Sequence, residues 1–252
     1  MPSPSPTPAR ICRGCWDQMH MPIPIRGPLA IPLRVVGITQ SKMNPNICTV
    51  CERSFRFVQK RRRITANVTM LFADMRGFTS LSEEIDPVAL SEIVSAFQDR
   101  CAEAIWAEDG IVNKQMGDGL MAIFNFPIKI ERHAEAAIKA AAALQRNCAS
   151  LFADLAQRVG GVLEKAPGAG VGVHSGEVEI GEFSNFRSDF TAIGGAVNLT
   201  ARLEAKAAAG EILISPAAAA AAADLVTGST TRVLTLKGIE HPVTAHVLTV
   251  TS

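Results

Sequence analysis

The sequence predicts an α+β sandwich, with helices covering a mixed sheet and a small Cys-rich module placed before it. Three observations carry that reading. Alternating apolar runs such as Val68-Thr69-Met70-Leu71-Phe72-Ala73 are interleaved with segments of helical spacing. Residues 111–116 and 120–124 flank Gly117-Asp118-Gly119 as a hairpin. Two CxxC pairs, Cys12-Arg13-Gly14-Cys15 and Cys48-Thr49-Val50-Cys51, stand in Pro-rich sequence near the N-terminus.

The elements follow in order. Residues 1–11, opening Met1-Pro2-Ser3-Pro4-Ser5-Pro6, read as a disordered lead without the apolar centre of a secretion signal. Residues 12–51 form the Cys module, and 52–63 a basic linker helix whose Phe55, Phe57 and Val58 are available to a partner. From residue 64 to 252 the chain reads as one body. Pro87 opens a helix whose Leu90, Ile93, Val94, Phe97, Cys101 and Ile105 share a face, and residues 133–155 form an Ala-rich helix. Residues 171–180 and 190–193 read as strands, 197–208 as a helix entered through Gly194-Gly195, and 217–223 as an alanine helix capped by Ser215-Pro216. Residues 233–238 and 244–250 close the chain as strands.

A chain of 252 residues, 48% of them hydrophobic, buries one substantial core and a small appendage. No apolar run reaches the roughly 20 residues of a membrane span; Pro32 and Arg34 interrupt the best one. A cytoplasmic protein is expected. The net charge of +1 hides an asymmetry: residues 1–65 carry 11 Lys/Arg against Asp17 and Glu52, and the remainder is acidic. Lys60-Arg61-Arg62-Arg63 reads as a solvated segment, so nucleic acid is not an expected partner.

Thiolates two residues apart can share a tetrahedral metal, so Cys12, Cys15, Cys48 and Cys51 are candidate zinc ligands. The 32-residue gap between the pairs exceeds the usual zinc-ribbon loop, which leaves an iron–sulfur or thiol-redox site open. His20 reads as a surface residue, and Cys101 and Cys148 as core thiols. In the body, Asp74 ends a strand and Asp118 sits at a hairpin tip, so two carboxylates are aimed at one place. Such a pair suits divalent metals that hold a polyphosphate, and it marks a candidate phosphoryl-transfer enzyme.

Four segments in order carry a resemblance: Phe72-Ala73-Asp74-Met75-Arg76-Gly77-Phe78-Thr79, Lys114-Gln115-Met116-Gly117-Asp118-Gly119, His174-Ser175-Gly176-Glu177, and the stretch from Phe190 through Asn198 and Arg202 to Glu204. Together they resemble class III nucleotidyl cyclases over about residues 64–250. The resemblance implies a palm-type, ferredoxin-like sandwich with a mostly antiparallel sheet, working as a homodimer whose sites borrow residues from both copies. It implies that Asp74 and Asp118 hold two Mg²⁺ or Mn²⁺ ions and that the backbone through Gly77, Phe78 and Thr79 meets the phosphates. From the other copy, Asn198 would orient the ribose, Arg202 would stabilise the charged phosphorus, and Lys237 would contact the terminal phosphates. Lys114 and Thr191 imply adenine: a Lys donor suits N1 and a Thr hydroxyl accepts from the amino group. ATP is therefore the expected substrate and cyclic AMP the product, and the pair resembles the bacterial Lys–Thr subclass, some of whose members respond to bicarbonate.

Two departures stand out. Relatives often carry a phosphate-binding Arg where this chain has Gly170, which removes one cation from the expected clamp. Gly195 replaces the usual Asp or Asn, at a position that is structural. His174 reads as a structural histidine, since a metal-activated hydroxyl needs no histidine base. The rival readings are a guanylate cyclase and a cyclase-like dimeric sensor whose Cys arm binds an unidentified regulatory partner. Degenerate members lose a metal Asp, the Arg or the Asn, and here all four stand. A diguanylate cyclase is not supported, because no Gly-Gly-[Asp/Glu]-Glu-Phe run occurs.

Overall fold

In the computed structural model, residues 9–52, 64–159, 167–182 and 190–250 are described. The expected linker helix, apart from Glu52, lies outside them. Two long strands, β1 (Ile64–Arg76) and β4 (Gly168–Glu182), pair antiparallel from Ile64↔Ile180 to Arg76↔Gly168 and form the spine. Around them lie β2 (Ile111–Met116), β3 (Gly119–Phe124), β5 (Phe190–Ile193), β6 (Glu211–Ile214), β7 (Thr230–Leu234) and β8 (Val243–Thr249). The sheet order is β2-β3-β1-β4-β6-β8-β7, with β5 added to β4, and the β4–β6 pair alone is parallel among the described strands. This is the mixed, mostly antiparallel α+β sandwich that the sequence predicts.

The period-2 alternation of β1 decides what each face meets. Leu71, Ala73 and Met75 face α4 (Pro87–Ala107) and α5 (His133–Val159), where Phe97, Ile105, Leu144 and Cys148 are fully buried. Cys101 is buried there too, as expected of a core thiol. Asp86 caps α4 by accepting from the Ala89 N–H at 3.0 Å, and Pro87 takes the first turn, where a missing N–H costs nothing.

Val68, Met70 and Phe72 point the other way, with Met121 and Ile123 of β3 and Val178 and Ile180 of β4. Two things cover this second face. One is α6 (Gly195–Glu204), which lies directly on the β4 backbone: a β-carbon on Gly172 would fall 2.6 Å from the Thr200 carbonyl oxygen. The other is the Cys arm, whose four cysteines, Ile25 and Ile47 share one buried cluster with the sheet. The arm thus packs directly on the sheet face. Its apolar residues lack periodicity because they fill gaps on a face built by other strands. Within it lie α1 (Arg13–Met19) and α2 (Ile31–Val35), and Ile11 bridges to Pro24.

Three further boundaries differ from expectation. The alanine segment forms two short helices, α7 (Pro216–Ala221) and α8 (Ala223–Val226), broken at Ala222, whose ψ is 42°. Helix propensity favours continuity there, yet the chain turns at Ala222, with Ala218, Ala219 and Ala222 all buried. The helix expected over 197–208 starts earlier and stops at Glu204. Strand β7 stops at Leu234, which leaves Lys237 beyond it, beside buried Leu236 and the positive-φ Gly238. Among the described residues no helix is long and apolar enough to cross a membrane.

Candidate active site

The β1 register sets Asp74 opposite Gly119 on one side and Gly170 on the other. Neither neighbour has a side chain, so the carboxylate lies across open backbone: a β-carbon on Gly119 would stand 2.8 Å from its Oδ1. Asp118 sits one residue before Gly119 in the β2–β3 turn, close enough that its charge acts on Asp74. The two aspartates singled out in the sequence are therefore brought together.

Their electrostatics are those of a cluster short of positive charge. Burial, then the charges of Asp118 and Glu204, push the Asp74 carboxyl up to about 6, against the pull of Arg76. Burial also raises Asp118 and Glu204. Oxygen donors held in this way fit a hard divalent cation, which removes the repulsion by adding the missing charge.

Arg76 and Glu204 are the site residues that sequence reasoning missed. Arg76 lies two residues beyond Asp74 on the same strand face. Its Nη1 donates to Asp74 Oδ2 at 3.2 Å, its Nε to the Ala207 carbonyl at 2.8 Å, and its Nη2 to Glu204 Oε1 at 2.5 Å and to the Glu204 carbonyl. The guanidinium fills the hollow over Gly170, where an added β-carbon would meet its Cζ at 2.6 Å. The cation expected to be missing at position 170 is thus matched by one entering the same space from β1. The period-2 spacing from Asp74 is the signal that could have found it. No comparable signal exists for Glu204, whose approach depends on where α6 crosses the sheet.

The remaining candidates are placed apart. Gly77 takes φ 80°, which suits glycine, and α3 (Phe78–Glu84) begins at once, so Phe78 and Thr79 lie in its first turn. Met75 and Arg76 stay paired in β1, so the backbone leaves the sheet only at Gly77. Asn198 and Arg202 lie one turn apart on α6 and both are exposed, as is Lys237. Lys114 on β2 and Thr191 on β5 are half-buried, and their two strands approach one another. His174 Nδ1 lies 2.7 Å from Ser215 Oγ, the group that also caps α7, which is a structural bond.

In the arm, the sulfurs of Cys12, Cys15 and Cys51 lie within 4.8 Å of one another, and Cys48 Sγ is 3.5 Å from Cys15 Sγ. A tetrahedral zinc with bonds of about 2.3 Å needs sulfurs spaced in this range; Cys12, Cys15 and Cys51 meet it mutually, and Cys48 stands beside Cys15 as the fourth candidate ligand. The N–H groups of Cys15 and Cys48 donate to Cys12 Sγ, and that of Cys51 to Cys48 Sγ. Hydrogen bonds among the sulfurs pull the thiols apart, Cys12 and Cys48 below their usual range and Cys15 and Cys51 above it. His20 is exposed and closes α1, in keeping with a surface role.

This fold and site define a class of protein. The chain belongs to the adenylate and guanylate cyclase catalytic domain family, whose model matches residues 61–249. An adenylate cyclase of Anabaena cylindrica is 27% identical over 162 residues, 64% of this chain but 31% of that protein, so the chain spans about a third of this relative's length. Among solved structures, the adenylyl cyclase CyaB from P. aeruginosa is 29% identical, with a TM-score of 0.65 over 74% of this chain and 96% of that one. The guanylyl cyclase Cya2 is as similar, at 28% identity and a TM-score of 0.67 over 75% of this chain and 95% of that one.

Proposed function

We propose that this protein is an adenylate cyclase, converting ATP to 3′,5′-cyclic AMP and pyrophosphate at sites shared between two copies of the chain. The supporting observation is the division of the site: Asp74 and Asp118 are gathered in a charge-deficient cluster, while Asn198 and Arg202 face outward on α6. Two divalent ions held by Asp74 and Asp118 would acidify the ribose 3′-hydroxyl and offset charge on the leaving phosphates. The 3′-oxygen bonds to the α-phosphorus as the bond to the β-phosphate oxygen breaks. Arg202 from the second copy meets the charge that builds on the α-phosphoryl oxygens, and Asn198 holds the ribose so that the 3′-oxygen is in line. Lys237 faces the terminal phosphates, and so does Arg76, which sits against Asp74. The first turn of α3, from Gly77 to Thr79, offers them backbone N–H groups.

For the base, Lys114 donates to adenine N1 and Thr191 accepts from the amino group. The second reading is a guanylate cyclase, favoured by the equal likeness to Cya2. In the domain layout proposed with this function, residues 64–252 are catalytic and 12–51 hold one structural zinc through Cys12, Cys15, Cys48 and Cys51. The deciding assay compares ATP and GTP in Mg²⁺ and Mn²⁺. Cyclic AMP from ATP in clear excess supports the reading, cyclic GTP in excess favours the second one, and no product from folded dimer overturns both.

A further inference from the structure

Besides its apolar packing on the sheet, the Cys arm hydrogen-bonds to the turn and strand that lead to Lys114. Between the two CxxC pairs, residues 41–47 fold back on the second pair, with Ser41 N–H donating to the Ile47 carbonyl at 2.9 Å. From this loop the Met43 carbonyl accepts from the Val112 N–H at 2.9 Å and from the Trp106 indole N–H at 2.7 Å. Asn44, fully buried, donates to the Gly110 carbonyl at 2.7 Å, and its Oδ1 accepts from the Asn46 N–H. Arg13, next to Cys12, pairs with Asp109.

The point of attachment matters because β2 is an edge strand of the sheet. An edge strand is held on one side only, and this one carries an irregularity between Val112 and Lys114. The arm supplies the other side at Val112, two residues before Lys114. A 240 Å³ recess lined by Lys42, Met43, Val112, Asn113, Lys114 and Gln115 lies at the junction. The cysteines themselves stand in the same buried cluster as Ile111, Met121 and Ile123 of the hairpin.

We propose that a zinc-class, thiolate-bound metal at Cys12, Cys15, Cys48 and Cys51 braces β2 through Met43 and Asn44, and so fixes the reach of Lys114 and the choice of nucleotide base. This deepens the cyclase and zinc readings above and rests on them. The loop 41–47 is polar but largely buried, and it is tied to the knuckle that follows it: Ser41 N–H bonds to the Ile47 carbonyl, next to Cys48, and Ser41 Oγ donates to Glu52 at 2.7 Å, next to Cys51. Met43 and Asn44 are positioning residues in this scheme: they act through Lys114 and do not meet substrate.

The chain provides its own reporter, because its two tryptophans are Trp16 and Trp106, and Trp106 donates to Met43. In a Trp16→Phe background, a zinc-selective chelator should release one zinc per chain and shift Trp106 emission to the red. It should also lower the ATP-over-GTP preference in kcat/KM by about tenfold, the scale of a lost hydrogen bond to a charged donor, and added zinc should restore both. Asn44→Ala, which keeps all four cysteines, should retain the zinc yet show the same loss of preference. Three results are separable. Absence of zinc or iron by elemental analysis overturns the metal site. Zinc release or Asn44→Ala that leaves emission and preference unchanged overturns the brace. Protein without cyclase activity overturns the proposed function, and Trp106 emission that then ignores zinc release overturns the brace as well.

Discussion

The two ends of the candidate site are built on opposite plans. At the β1 end, Asp74, Asp118, Arg76 and Glu204 answer one another's charge within one chain. On the outer face of α6, Asn198 and Arg202 stand exposed, and Lys237 likewise. A charge left in water costs little, and it interacts strongly only when a second surface covers it and lowers the local dielectric. In the function proposed above, the first end binds a cation and the second gains its force from a second copy.

The experiments that would break this contrast can be ordered by size. Asp74→Ala should abolish cyclase activity, and Arg202→Ala should lower it about a hundred- to thousandfold. Mixing the two variants should restore activity, because a hybrid dimer rebuilds one intact site. No recovery in confirmed hybrids would mean that each chain works alone. The base pair comes next: Lys114→Glu with Thr191→Cys should lower kcat/KM for ATP about ten- to hundredfold while GTP gains, measured side by side.

Smaller effects sharpen the β1 end. Arg76→Ala should raise KM for ATP about tenfold with a lesser change in kcat, as expected when a charge-assisted contact to phosphate is lost. Placing the guanidinium on the other strand, as Arg76→Ala with Gly170→Arg, should recover the KM. If instead the melting temperature falls and KM is unchanged, Arg76 serves only to latch α6 to β1. The smallest effect is expected at the β7 edge of the sheet, where Arg232 forks onto Glu211 at 2.6 and 2.9 Å. This pair lies in water-accessible surface, so Arg232→Ala should cost under about 1 kcal/mol by denaturant unfolding.

The helices and strands that proved easiest to read carry their own periodicity, as in β1, the β2–β3 hairpin and α4. Their one-face burial repeats at the spacing of the element. Asp74 and Asp118 were readable for a related reason: each follows a strand whose register can be counted. The arm was harder. Ile25 and Ile47 are single apolar residues in irregular backbone, and nothing near them in the sequence marks the sheet face they cover. The role of Gly170 was read as a loss because sequence shows what a position lacks and not which neighbour fills the space.

By itself the sequence determined the sandwich, the two aspartates, the pairing of Asn198 with Arg202 on one helix and the two cysteine knuckles, because all of these follow from spacing along the chain. The tertiary structure alone decided that Arg76 enters the hollow over Gly170, that Glu204 joins the carboxylates, and that the arm seals the site-bearing face and grips β2. Those contacts join residues separated by tens of positions, at distances of a few ångströms. Only the packing of whole elements against each other sets such distances.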